Sequence, residues 1–217
     1  MNLVLFATGR APNVKGLNLE AAGVEYDVKE GVHTNDKLET TNSNIFAVGD
    51  CSGKYQFTHN SDITARYVIK NALFLGGNKR SDILLPWCTY TEPEIAHVGK
   101  YCHELDKAGV KYDSYIKFYD KLDRALCDSQ DGIIKIHTKK DSDEILGATI
   151  VGGAAGDMIS QITQAMYNGL GMSKVGACVH PYPTYAESFR HLADRYNGKK
   201  LTSGAKTFLR KLIDFQK

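Results

Sequence analysis

The stretch from Gly132 to Gly169, GIIKIHTKKDSDEILGATIVGGAAGDMISQITQAMYNG, decides the fold class of the chain. It opens with alternation: Ile134, Ile136 and Thr138 are set against Lys135, His137 and Lys139, the period of a strand with one face in a core and one in water. EILGATIVG, over 144–152, is short, apolar and rich in β-branched residues, and reads as a second strand. The spacing then changes, with Met158, Ile159, Ile162, Ala165 and Met166 on one helical stripe that ends at Gly169. Between strand and helix, GGAAGD at Gly152 to Asp157 lacks the spacing of the phosphate-cradling G-x-G-x-x-G and reads as a strand-to-helix turn.

Working outward, WCTYT (87–91), IAHVG (95–99) and SYIKFY (114–119) read as further strands, with a helix over His103 to Lys107. Downstream, Ser173 is expected to cap a short helix and Glu187 to Tyr196 to form another. The last stretch, KTFLRKLIDFQK (206–217), is basic and amphipathic and reads as a frayed surface helix. Together these make an α+β unit, bounded upstream by the glycine-rich, charged GGNKRSDILLP (76–86).

Before that boundary the texture differs. LVLFAT (3–8) and IFAVGD (45–50) both read as buried strands running into glycine loops, pieces of an α/β sheet, and the residues between them are polar and turn-rich. Few candidates exist to flank such strands, so residues 1–44 are expected to be mobile or rearranged. From Thr58 to Leu75 the spacing of Ile63, Tyr67, Ile69 and Leu73 predicts a helix closed by Gly76 and Gly77.

Composition narrows the function classes. The chain has 217 residues, and 27 Lys+Arg against 25 Asp+Glu leave a net charge of +2, which supplies no basic face for nucleic acid. No apolar run approaches the ~20 residues needed to span a bilayer, and the first residues lack the basic segment and cleavage site of a signal peptide. Cys51, Cys88, Cys102, Cys127 and Cys178 are scattered, as reduced thiols of a cytoplasmic protein are, and no His/Cys spacing predicts a metal site.

Four segments change the functional reading. ATGRAPN (Ala7 to Asn13), IFAVGDC (Ile45 to Cys51), PWCTYTEPEIAHVG (Pro86 to Gly99) and HPYPTYAE (His180 to Glu187) stand in the order and at about the separations of the flavin-dependent pyridine nucleotide-disulfide oxidoreductases. The chain resembles the C-terminal part of such an enzyme, with wording similar to the mercuric-reductase-like and dihydrolipoamide-dehydrogenase-like branches. The resemblance implies residues 1–10 as the end of an NAD(P)-binding domain, 11–83 as the C-terminal segment of an FAD-binding domain, and 84–217 as an antiparallel interface domain that forms a homodimer. FAD and NAD(P)H would serve the complete protein, acting on a small disulfide or related substrate. This chain holds neither G-x-G-x-x-G nor the C-x-x-x-x-C redox pair, so it is expected to bind neither cofactor stably alone. The alternative from another class is a non-catalytic dimerisation module.

The same resemblance marks the site residues. Gly49 and Asp50 follow an apolar strand, where α/β folds bind ligands, and Asp50 would accept a hydrogen bond from the ribityl chain of FAD; an N-cap or Asx turn is its plain structural role. Phe57, Thr58 and His59 would place a helix N-terminus at the flavin pyrimidine edge, with Thr58 also a candidate helix cap. In the family a His before Pro-Thr, with Glu five residues on, is the acid/base for the substrate thiol. Here that position is Tyr182, with Glu187 at the expected spacing and His180 two residues earlier. A phenol titrates near pH 10 and is a poor base at neutral pH, which puts ordinary lipoamide or glutathione chemistry in doubt and gives Tyr182 an orienting role. No cysteine follows Cys178, so the paired C-terminal cysteines of mercuric reductases are absent. The stripe Met158, Ile159, Ile162, Met166 is a candidate dimer contact, with a core-facing role as the alternative.

Overall fold

The computed structural model describes residues 2–53 and 55–216, so Met1 and Lys217, at the ends of the first and last expected domains, lie outside the described residues. The chain divides into two compact units, 1–83 and 84–217.

In the first unit, β1 (Tyr26–Asp27) pairs antiparallel with β2 (Gly31–Val32). Asp27 Oδ1 closes the turn between them by accepting the N–H groups of Lys29 at 2.6 Å and Glu30 at 2.9 Å. Val14, Val24, Val32 and Ala47 form a small core. Helix α1 (Thr58–Leu73) follows a short 3-10 turn at Gly49–Ser52.

The two expected strands of this unit do not form. Residues 3–8 have no regular structure, and Leu3, Val4, Leu5 and Phe6 are 79 to 88% exposed. Phe46 makes only an isolated bridge to Glu39. Strand structure depends on a neighbour's N–H and C=O groups, which an apolar run does not supply for itself. Helix α1 also departs from its expected orientation: it buries Asn60 and Thr64, whereas Ile69 and Leu73 are exposed. Its left-handed closing residue is Leu75 (φ 54°) rather than a glycine, and the Gly76 N–H donates to the Lys70 carbonyl at 3.0 Å.

The second unit has the expected α+β architecture. It contains β3 (Trp87–Thr89), β4 (Ile95–Gly99), α2 (Cys102–Lys107), β5 (Tyr112–Phe118), α3 (Asp123–Cys127), β6 (Ile133–Lys139), β7 (Ile145–Val151), α4 (Ala155–Tyr167), α5 (Met172–Ala177), α6 (Glu187–Lys199) and α7 (Ser203–Phe215). The strands form one antiparallel sheet in the order β3-β4-β7-β6-β5. One face carries Ala96, Val98, Ile134, Ile136, Ala148 and Ile150 into a core completed by α4, α5 and α6. Met158, Ile159 and Ile162 are at most 3% exposed there, so the stripe faces its own core and is not a dimer contact.

The opposite face is less wet than the alternation predicts. His137 is 3% exposed because α2 lies over it, with Cys102 hydrogen-bonded to its Nε2. The N-cap of α4 is Ala154, which has a left-handed φ of 58° and makes no side-chain cap bond. The distant Glu94 does that work, its Oε2 accepting the Gly156 N–H at 2.9 Å and its carbonyl the Gly152 N–H at 3.0 Å. Ser173 is not a cap either: Gly171 holds the N-cap position of α5. At the outer edge of the sheet, Arg195 of α6 donates to the Ile116 carbonyl of β5. Helix α7 is capped by Thr202, whose hydroxyl accepts from the Ala205 N–H, and it buries no residue. Among the described residues no helix is long and apolar enough to cross a membrane.

Removing Ile162 side-chain volume leaves a hole between α4 and the sheet. Ile162→Ala is expected to cost about 2–5 kcal/mol, and Phe208→Ala on exposed α7 less than about 0.5 kcal/mol. Urea unfolding followed by Trp87, the one tryptophan of the chain, measures both within the second unit; equal effects would mean that α4 does not pack on the core.

Candidate functional site

The residues singled out by sequence fall into two groups, one in each unit. In the first, Gly49 has φ 71° and its Cα lies so close to α1 that a Cβ would come within 2.7 Å of Ser61 Oγ. This close packing sets the 3-10 turn against the start of α1. Asp50 in that turn pairs with Arg10 at 3.3 Å, and Arg10 also donates to the Gln56 carbonyl. The pairing fixes the carboxylate beside the Arg10 guanidinium. Phe57 is the N-cap of α1 and stacks on His59 with ring centroids 5.2 Å apart. Thr58 is the first helical residue and not the cap, which has no side-chain hydrogen bond. The first turn holds no acidic residue, so the positive end of the helix dipole is not offset there.

Sequence reasoning missed a cleft of the same unit. It has a volume of about 670 Å³ and is lined by Arg10, Lys29, His33, Thr34 and Arg80 among others. Arg80 donates to Ser52 Oγ at 3.4 Å, and its half-burial lowers the guanidinium's affinity for its proton. Thr34 Oγ1 is buried there without a hydrogen-bond partner.

The second group lies in the loop from α5 into α6. Tyr182 is 69% exposed, precedes Pro183 across a cis bond, and donates its O–H to Asp123 Oδ2 at 2.6 Å. That bond, then the Asp123 charge, then slight burial and the Glu187 carboxylate, all raise the phenol above its usual range. Glu187 opens α6 and accepts from Arg190 at 2.9 Å, with His191 Nε2 at 3.7 Å. His180 packs against Phe189 with centroids 6.2 Å apart, and its Nδ1 is buried without a hydrogen-bond partner.

Asp123 was invisible to motif reading, since it stands 59 residues from Tyr182 in the chain. The neighbouring Tyr185 repeats the arrangement, donating to Asp128 Oδ2 at 2.7 Å while Arg124 holds the same carboxylate at 2.6 Å. Burial, followed by that bond, pushes Tyr185 up to about 12. The loop is thus tied to α3 by two phenol–carboxylate bonds. Both phenols are hydrogen-bond donors at neutral pH.

Comparison with known proteins follows this geometry. Residues 85–193 match the family described as pyridine nucleotide-disulphide oxidoreductase, dimerisation domain, and residues 1–65 match pyridine nucleotide-disulphide oxidoreductase. The chain is 33% identical over 196 residues to a mitochondrial dihydrolipoyl dehydrogenase of Dictyostelium discoideum, covering 89% of this chain and 40% of the relative. It is 35% identical over 188 residues to a mercuric reductase of Staphylococcus aureus, covering 86% and 34%. The structure of the HOCl-induced flavoprotein disulfide reductase RclA from Escherichia coli superposes with a TM-score of 0.81 at 25% identity, over 87% of this chain and 44% of that one. The chain therefore spans 34 to 44% of the length of these proteins.

If Asp123 holds the phenol, removing its charge must ease ionisation. Asp123→Asn is expected to lower the pH at which Tyr182 titrates, read from the ring carbon shift of labelled tyrosine by NMR. An unmoved or raised midpoint would show that the pair does not form in solution.

Proposed function

The chain belongs to the pyridine nucleotide-disulphide oxidoreductases, and on that premise we propose that it supplies the dimerising, substrate-facing part of an FAD-dependent NAD(P)H oxidoreductase. In this reading residues 84–217 are the interface domain of a homodimer, 11–83 the C-terminal segment of an FAD-binding domain, and 1–10 the end of an NAD(P)-binding domain. The substrate class is a small disulfide or a related sulfur or metal compound, as the relatives' names indicate. The observation that supports it most is one of extent. The dimerisation-domain match runs from the first strand of the antiparallel sheet through the whole loop of His180, Tyr182 and Glu187 into α6.

The residues of the first unit fit the flavin end of FAD. Asp50 offers a partly exposed carboxylate, 45% accessible and braced by Arg10, to a ribityl hydroxyl. The N-terminus of α1, with Phe57, Thr58 and His59 and no acidic residue in its first turn, offers the positive end of the helix dipole to the electron-rich pyrimidine edge. Bound flavin supplies the passage of hydride equivalents between nicotinamide and substrate. The pyrophosphate-binding G-x-G-x-x-G is not among these 217 residues. The isolated chain is therefore expected to lose FAD on gel filtration, and a yellow eluted protein with stoichiometric flavin would overturn this.

Tyr182 is the orienting residue of the reading. The bond to Asp123 keeps the phenol protonated, and a bound sulfur would receive that single O–H in exchange for Asp123; in neither position does the phenol remove a proton. In the complete protein Tyr182→Phe is expected to lower turnover about fivefold, the worth of one ordinary hydrogen bond, without moving the acidic limb of the pH profile. Abolished activity together with a lost titration would make the tyrosine the base. Tyr182→His is expected to raise activity toward simple disulfides. The dimer is tested by sedimentation of the chain itself: a two-fold dimer is expected, and a monomer at high micromolar concentration would overturn the interface assignment.

A further inference from the structure

The sheet face opposite the helices carries a second cluster of reactive side chains, which the proposed site does not use. His97, Thr149 and Lys135 stand in register across β4, β7 and β6, and His137 and Ser114 in register across β6 and β5. Onto this face α2 brings Cys102. The sulfur lies 3.3 Å from His137 Nε2 and 3.2 Å from Lys135 Nζ. His137 Nδ1 is in turn 2.9 Å from Ser114 Oγ, and the Tyr112 ring packs edge-on to the imidazole at 5.2 Å. Tyr112, which interacts with both Cys102 and Asp106, completes the surroundings of the thiol.

This is a nucleophile, a ring nitrogen in contact with it, and a third group that fixes the ring. We propose that Cys102 is a nucleophilic thiol that undergoes exchange with low-molecular-weight disulfides of the glutathione type.

The step balances without any further reactant. The Cys102 sulfur attacks one sulfur of the disulfide, a new S–S bond forms, and the old S–S bond breaks with its electron pair on the departing sulfur. The departing thiolate takes up the proton given up by Cys102. One half of the disulfide is thereby reduced to thiol while Cys102 is oxidised to the mixed disulfide. Burial, and after it the Lys135 ammonium, hold His137 down at about 4, so the ring is neutral at pH 7. A negative sulfur selects the tautomer whose Nε2–H points at it, which leaves Nδ1 to accept the Ser114 hydroxyl proton. Lys135 then supplies the positive charge, and His137 a directed N–H, to sulfur that becomes negative.

Access separates this site from two of the other cysteines. Cys127 and Cys178 are exposed and Cys102 only partly so; exposure alone would therefore rank Cys102 behind them. The test is to treat the 217-residue chain with oxidised glutathione at neutral pH, quench with acid, and map mixed disulfides by peptide mass spectrometry. Cys102 is expected to react at least about tenfold faster than Cys127 and Cys178, with the rates converging in urea. Lys135→Met is expected to slow Cys102 by about tenfold and Lys135→Arg to preserve the rate, in variants whose thermal melts match the parent. Cys102 reacting no faster than Cys127 and Cys178 in the folded parent would overturn the proposal. A Lys135→Met rate equal to the parent's would overturn it as well.

Discussion

The second unit is organised around one buried ring. Tyr119, 1% exposed, occupies a slot in which Gly132 and Gly152 leave no room for any other side chain: a Cβ at either position would stand 2.5 to 2.6 Å from ring carbons. Gly152 ends β7 at the approach to α4, and Gly132 precedes β6, so the ring fixes the junction of sheet and helix from both sides. Its far face stacks on Tyr185 at 5.2 Å. Through that contact the packing of the sheet reaches the loop of Tyr182. Burial keeps the Tyr119 phenol protonated well beyond its usual range, and its O–H lies 3.4 Å from the Gly153 carbonyl.

Charge then refines what packing places. Asp123 and Asp128, on and just beyond α3, receive the hydroxyls of Tyr182 and Tyr185, and Arg124 between them neutralises the second carboxylate. The anions stabilise the protonated phenols, the reverse of what a phenol acting as base requires. The surroundings of Tyr182 thus suit a protonated phenol.

Local patterns made much of the second unit readable in advance. Five strands and the helix at Ala155–Tyr167 follow from alternation, β-branching and helical spacing, because each buries a regular face in one core. The misreadings share a cause. LVLFAT at 3–8 has the composition of a strand, but strand structure is a property of a pair. The stripe of α4 was legible as a stripe, whereas whether it meets a core or a second subunit depends on what stands opposite. The Glu94 cap of α4, the Asp123 partner of Tyr182 and the Arg10 partner of Asp50 are long-range meetings that no local motif announces. In the site, the family resemblance pointed to Tyr182, His180 and Glu187; Glu187 meets Arg190 and His191 close by in the chain, whereas the bond that sets the chemistry of Tyr182 reaches back to Asp123.

The contact between Arg195 and the Ile116 carbonyl has a consequence for solubility. β5 is a seven-residue edge strand, and an open edge of that length offers its carbonyls and N–H groups as a template for sheet extension. Here one carbonyl is occupied by a guanidinium, Asp113 is held by Lys140 and Lys199, and the Lys199 ammonium lies 4.5 Å over the Tyr115 ring. A second chain approaching along this edge meets fixed cations where it would need free backbone. Growth into stacked, fibre-like sheets is disfavoured at this border, and contact between copies is directed toward other surfaces of the unit.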